Sequence, residues 1–351
     1  MVSPDLIWFP VTLTKRVGHM IRPGKGKEEE KMNFGVMGPG VIAEKFAGAC
    51  ELCEGVTLLG VASRSRQRAE AFARRHGVER VYDNYEALLA DPAIDAVYIS
   101  VIHTGHYSLA RRCIEAGKAV LCEKPLTCSS TDTEELARYA AERGVLLMEA
   151  MWTLFLPPVK KAMEWLRSGA IGTAEYSTCN FSSFVERNPK SRLFDPAQAG
   201  GGLLDVGVYC GAFLLEMAGE EPTDVKAFLR IGPTGVDEMG TALLRFPSGL
   251  LADCTFGLRA DLDDNAYISG SKGKIILHHF WRCRRAELYD ANGNILDAAE
   301  DEQENGFVYE LEAFRDSFCK GETECPQMPL RKTIAVARWM EAIEKENASI
   351  G

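Results

Sequence analysis

Gly35-Val36-Met37-Gly38-Pro39-Gly40-Val41-Ile42-Ala43 places a Gly-x-Gly-x-x-Ala spacing between a short apolar run, 33–37, and a helix-like stretch, 41–50. Gly38 permits a tight turn, and Gly40 lets the main chain approach a pyrophosphate. The small Ala43 lets helix and strand pack closely, while the first-turn amides and the helix dipole face an anion. Alone, such a run could be a structural turn. Between the first strand and first helix of an alternating pattern it reads as a dinucleotide fingerprint, with Gly38, Gly40, Val41 and Ile42 at the ligand.

The alternation continues outward from that loop. Apolar runs at 57–62, 95–101, 118–122 and 145–149 are interleaved with helical stretches at 66–76, 85–90 and 107–116. A further helix ends at Gly144, and Thr131 with Glu134 has the spacing of a capping box at its start. Short buried strands alternating with helices predict an α/β, doubly wound parallel sheet of the Rossmann type over residues 32–150. The pattern then changes. Runs at 174–184, 224–231, 241–246, 250–256, 265–269 and 274–277 are separated by turns such as Pro247-Ser248-Gly249, with helices at 159–168, 203–218, 308–320 and 330–345. Tight turns between successive strands predict an α+β second domain, 151–351, with one broad, mostly antiparallel sheet.

Composition bounds the function. The 351 residues suit two domains, and 46% hydrophobic with 26% charged residues suits a globular core. A net charge of −10 without basic blocks argues against nucleic acid as a partner. No apolar run comes near the ~20 residues that cross a bilayer, which argues against membrane spanning. Eleven cysteines without framework spacing point to a reducing, cytoplasmic setting, and Cys50 with Cys53 reads as two helix thiols. Residues 1–31, interrupted by Pro4, Pro10 and Pro23, do not match the rest of the chain. They read as a disordered or artefactual extension ahead of Met32, with a targeting or partner-binding arm as the alternative.

The end of the second strand selects the nucleotide. A site for NAD usually places a carboxylate there to bind the ribose 2′-hydroxyl. This chain has Ala62-Ser63-Arg64-Ser65, followed by Arg66 and Arg68. Missing carboxylate and forked donor together suit a 2′-phosphate, so NADP is the expected cofactor, with NAD as the alternative; Ser63, Arg64 and Arg68 are its expected contacts.

Gly35–Ala43, the stretch 99–106 with His103 and His106, Glu123-Lys124-Pro125, and Gly201-Gly202-Leu203-Leu204-Asp205-Val206-Gly207-Val208-Tyr209 together resemble the Gfo/Idh/MocA oxidoreductases over nearly all of 32–351. The runs 147–153 and 306–310 are most similar to the branch of dimeric trans-dihydrodiol dehydrogenases, D-xylose dehydrogenases and glucose–fructose oxidoreductase. The resemblance implies hydride transfer between nicotinamide C4 and a secondary alcohol or carbonyl of a sugar, cyclic polyol or trans-dihydrodiol, in a homodimer. Lys124 and Glu123 lie at the carboxyl edge of the parallel sheet, where ligands of such sheets bind. A lysine, a phenol and a carboxylate can pass or hold the hydroxyl proton. Tyr209 beside Lys124 is the first candidate for general acid/base, Lys124 itself the second, and Asp205 their orienting partner. Many family members carry histidine where Tyr209 stands, whereas the dihydrodiol and sugar branch has tyrosine there. The resemblance places His103 and His106 beside the cofactor and a cis peptide at Lys124-Pro125. Trp152, Phe181, Trp281 and Phe307, with Asp205 and Tyr209, are the candidate substrate contacts; core packing is the other reading for each aromatic ring. No metal is expected, because these segments lack a cluster of ligands at metal spacing. Two rival readings are a sugar oxidoreductase that keeps its NADP between two substrates, and a non-catalytic NADP-responsive binding protein.

Overall fold

The computed structural model describes residues 31–350, so the reading of the N-terminal extension lies outside the described residues except at Lys31. Six strands, β1 (Met32–Met37), β2 (Val56–Ala62), β3 (Arg80–Tyr82), β4 (Ala96–Ile99), β5 (Ala119–Glu123) and β6 (Leu147–Ala150), form a parallel sheet in the order β3-β2-β1-β4-β5-β6. The connecting helices are α1 (Val41–Leu52), α2 (Arg66–His76), α3 (Tyr85–Ala90), α4 (His106–Glu115) and α5 (Ser130–Arg143). β4, β5 and β6 are buried at every residue, as the continuous apolar runs require of a sheet covered on both faces. The order reverses between β1 and β4, which opens a crevice beyond their carboxyl ends.

The capping box is corrected. Ser129, not Thr131, caps α5: its backbone is extended and its side chain accepts from the Asp132 N–H, while Thr131 lies inside the first turn. The preceding Thr127 hydroxyl donates to the Ser129 carbonyl and so fixes where the helix can begin.

The second sheet is built from β7 (Ala174–Ser182), β8 (Asp224–Ile231), β9 (Asp237–Arg245), β10 (Leu251–Gly257), β11 (Ala266–Gly270), β12 (Gly273–His278), β13 (Arg285–Asp290) and β14 (Ile295–Glu300), in the order β14-β13-β12-β11-β7-β10-β9-β8. Every pairing is antiparallel except β10 with β7. α6 (Pro157–Arg167) and α7 (Val208–Ala218) pack on this sheet, α7 continuing a π-helical turn, Leu203–Gly207. The chain then returns to the first sheet: α8 (Phe307–Cys319) packs on α1, and α9 (Leu330–Ile350) on α5, α7, β6 and β8. One core therefore runs from Phe34 and Phe46 to Leu244 and Phe256.

The stretch Pro196–Ala218 does reach the length and apolarity of a membrane span, contrary to the expectation that none would. With 72% of its most apolar window buried it is a core element of this fold, apolar because protein surrounds it.

Candidate functional site

A cleft of about 1060 Å³ runs from the carboxyl ends of β1, β2 and β4 to the first turn of the π-helical segment. Its floor is the glycine loop. Gly38 has φ 92°, and a Cβ there would lie 3.0 Å from the Ser100 carbonyl oxygen, so glycine is needed for both conformation and space. Ser100 pins the loop by donating its hydroxyl to the Gly38 carbonyl at 2.9 Å, and Gly40 N–H donates to the same oxygen at 2.8 Å. Gly40 is the N-cap of α1 and offers no side-chain cap, so the first-turn amides are left for an anion; Val41, at 85% exposure, and Ile42 stand at the cleft wall. This uncapped helix over a glycine turn fits a dinucleotide pyrophosphate.

At the end beside α2 the cleft is lined by Ser63, Arg64, Ser65, Arg68, Tyr85 and Arg112, and among the described residues no carboxylate lines it there. Arg66 is spent on Glu70 and Asp83, and Arg112 on Glu86, which leaves Arg64 and Arg68 without a carboxylate partner among the described residues.

The opposite end holds the paired charges. Lys124 follows β5, and its peptide to Pro125 is cis, as the resemblance implied. Its Nζ donates to the Asp205 main-chain carbonyl at 2.7 Å, lies 3.8 Å from Asp205 Oδ1, and sits 5.0 Å from the centre of the Tyr209 ring. Asp205 Oδ1 also accepts from Arg192 Nη1 at 2.9 Å. Burial pushes the Asp205 carboxyl up, but Lys124 and Arg192 outweigh it and hold it below its usual range. Tyr209 and Asp205 do not bond each other: the phenol accepts from Trp152 Nε1 at 3.4 Å. Burial, and then the Glu123 carboxyl, push the phenol well up, so it stays neutral.

His103 lines the cleft with Nδ1 3.2 Å from the Ala199 carbonyl; burial and then Lys124 push it far down, so the ring is neutral. His106 borders the cleft too, with Nδ1 2.8 Å from the Pro125 carbonyl and Nε2 3.1 Å from that of Val101, so its ring also supports the Lys124-Pro125 turn. Glu123 borders the cleft and accepts from the Tyr98 hydroxyl.

Of the four expected aromatic contacts only Phe181 lines the cleft. Trp152, Trp281 and Phe307 stand behind it: Trp281 stacks on Phe181 at 4.5 Å, Phe307 on Trp152 at 5.1 Å, and the Trp281 indole is held by Asp264. Trp152 and Phe307 are buried in the core, and Trp281 is partly buried against it. Arg192, by contrast, was missed. It arrives on a 3₁₀ turn, Arg192–Phe194, in a loop with no periodic pattern, and only its pairing with Asp205 marks it.

Fold and cleft together are those of a nicotinamide-dinucleotide oxidoreductase, and comparison with known proteins narrows the class. Residues 32–151 match the oxidoreductase family, NAD-binding Rossmann fold, and residues 159–276 the GFO/IDH/MocA C-terminal domain. The chain belongs to the Gfo/Idh/MocA family of NAD(P)-dependent oxidoreductases. It is 33% identical to trans-1,2-dihydrobenzene-1,2-diol dehydrogenase of Mus musculus, over 90% of this chain and 96% of that one. KijD10, a 3-ketoreductase from Actinomadura kijaniata solved with NADP and TDP-benzene, superposes with a TM-score of 0.81 at 28% identity, covering 90% of this chain and 98% of that one. Levoglucosan dehydrogenase shares the fold, with a TM-score of 0.84 at 20% identity over 92% of this chain and 98% of that one.

Proposed function

We propose that this oxidoreductase prefers NADP and works on a carbinol carbon of a cyclic polyol, sugar or trans-dihydrodiol, with Lys124, Tyr209 and Asp205 managing the hydroxyl proton. The observation that carries the reading is Lys124, held between the Asp205 carbonyl and the Tyr209 ring at the end of the cleft. NADP would be held by the first turn of α1, with Ser63, Arg64 and Arg68 at its 2′-phosphate. When bound, it supplies the hydride donor or acceptor at nicotinamide C4.

The chain's own groups supply the rest. The Trp152 indole occupies one lone pair of the Tyr209 oxygen, leaving the phenolic proton free to turn toward a substrate oxygen in the reduction direction. Lys124 replaces that proton or stabilises the phenolate left behind, and Asp205 with Arg192 holds the ammonium in place. Phe181 gives the C–H face of a ring an apolar wall, while Arg192 and Asp205 suit neighbouring hydroxyls, as a vicinal diol needs. The 1,2-diol named for the curated relatives has this chemistry. A screen of NADPH fluorescence against aldoses, ketoses, inositols and trans-1,2-diols tests it. Turnover of cyclic vicinal diols or sugars is expected; silence across the panel would leave a nucleotide-binding protein without this activity.

The homodimer belongs to the same reading, in a cytoplasmic enzyme. On the outer face of β8, β9, β10 and β7 stand Phe228, Leu243, Leu251 and Tyr176, which are 67%, 60%, 50% and 43% exposed. Leu251 pairs with Tyr176, while Leu243, opposite Lys226 and Asp253, and Phe228, opposite Thr241, follow diagonally on the same face. An apolar patch of this kind is usually covered by a partner, and a second copy meets it symmetrically. Sedimentation of the wild type should give a dimer and of Leu243→Glu a monomer; a monomeric wild type refutes it.

A further inference from the structure

The turn that aims Lys124 is gripped from both sides, by His106 at the border of the cleft and by Glu149 behind it. Pro125 has no N–H, so the first main-chain donor beyond Lys124 is Leu126. That amide donates to Glu149 Oε1 at 2.8 Å, while the Pro125 carbonyl faces His106 Nδ1. Glu149 lies in β6 in register with Cys122 of β5, and is 2% exposed. Its other oxygen, Oε2, is buried without a hydrogen-bond partner. A carboxylate so placed is costly, and the Leu126 amide with the nearby Thr333 hydroxyl only partly offsets its burial. A leucine or methionine would pack there at no such cost.

We propose that Glu149 is a positioning residue, an anchor that holds the Leu126 amide and thereby fixes the direction of Lys124 toward Asp205 and Tyr209. The proposal rests on the role given to Lys124 above. The groups that face Glu149 are Glu123 and Lys124 at the end of β5, the Leu126 amide, and the Thr333 hydroxyl of α9. Burial lifts the Glu149 carboxyl to about 7, with the Leu126 amide pulling against it, so the anchor is charged on the alkaline side and weakens as pH falls. Glu123, also raised by burial, stands beside it, so substitution is needed to show that a change in the acid limb belongs to Glu149.

Two variants test this: Glu149→Leu, which removes the acceptor, and Glu149→Gln, which keeps an acceptor oxygen but cannot titrate. The first readout is amide hydrogen exchange of the segment 119–130 in the nucleotide-free protein. Leu126 should lose protection at least ~10-fold in Glu149→Leu and retain most of it in Glu149→Gln. The second is turnover with NADP and trans-1,2-dihydrobenzene-1,2-diol as probe. There kcat should fall ~10–100-fold in Glu149→Leu, as misplacement of a reacting group does, with the NADP Kd within twofold of wild type. Glu149→Gln should stay within about threefold at pH 8, with its acid limb displaced from pH 7. Unchanged Leu126 protection in Glu149→Leu overturns the anchor, as does wild-type kcat in that variant. Equal impairment of the two variants overturns it too, since charge alone would then matter. Should Glu149→Leu fail to fold, an unaltered acid limb in Glu149→Gln is decisive against it. Lys124→Ala in the same assay separates the two levels: wild-type turnover there removes the underlying reading, whereas a dead Lys124→Ala beside an active Glu149→Leu removes only this anchor.

Discussion

The two ends of the cleft solve opposite electrostatic problems. At the end proposed for adenosine, Arg64 and Arg68 stand exposed around the start of α2, their charge held in water at little cost. At the reaction end the side chains of Lys124 and Asp205 are only 12% and 15% exposed, and buried carboxyls crowd beneath them. Glu123, Glu149 and Glu310 are each almost wholly shielded, and burial pushes all three upward. Exposed charge selects a ligand cheaply and adjustably. Buried charge must be balanced within the protein, so each group at the reaction end depends on its neighbours. Substitution should thus cost binding at one end and turnover at the other.

The largest effect is expected at the reaction end. Lys124→Ala removes the ammonium that faces Tyr209 and the Asp205 carbonyl, and kcat should fall by ~10²–10⁴, the usual contribution of a positioned proton-transfer group. Nucleotide affinity, set mainly by the far end, should stay within about twofold by fluorescence titration. Parallel losses in turnover and in NADP affinity would show that the two ends are not independent.

Next comes the adenosine end. Arg64→Ala should weaken NADP by ~10–100-fold, the worth of a charge-assisted bond to phosphate, and leave NAD binding almost unchanged. Saturated kcat should not move. Equal weakening of NAD and NADP would place Arg64 against adenine alone, and the absence of any effect would shift the phosphate contact to Arg68.

The same contrast explains what could be read in advance. The glycine loop was legible because its demands are local: a positive φ at Gly38, close approach at Gly40 and a helix start are written within nine residues. The basic start of α2 was legible for the same reason. The reaction end joins segments 81 residues apart at Lys124 and Asp205, and only resemblance brought them together. Arg192 has no local signal at all, since an arginine in an irregular loop reads as a surface residue until Asp205 is seen beside it. The aromatic residues were ambiguous in another way. Hydrophobicity left Trp152, Trp281 and Phe307 between a pocket wall and the core, because whether a ring faces a cleft or the layer behind it depends on tertiary packing. The short β3 and the outermost β14 escaped because edge strands carry weak alternation, and β14 is exposed along most of its length. β13, paired on both sides, escaped because its buried run 286–288 contains Glu287 and so lacks an apolar alternation.

The smallest effect concerns stability, and it puts a sign on the cost of the buried end. Glu149 rises on folding from a usual 4.5 to about 7. The folded protein therefore holds a proton that the unfolded chain releases in that interval. The resulting destabilisation is absent below pH 4.5, grows between the two values and is fully present above 7. Glu149→Gln cannot ionise and escapes it, so the variant should be more stable than wild type by on the order of 1–3 kcal/mol at pH 8, a gain of several degrees in Tm. The gain should vanish near pH 4.5. Calorimetry at both pH values checks the prediction, and a variant less stable than wild type at pH 8 would mean that the Leu126 bond outweighs the burial of charge. Exposed Arg64 provides the control: with no buried charge to relieve, Arg64→Ala should leave Tm nearly unchanged at both pH values, because surface substitutions of this kind stay within ~0.5 kcal/mol. A gain in stability at pH 8 beside a loss of turnover in Glu149→Leu would mean that the chain trades stability for the aim of Lys124.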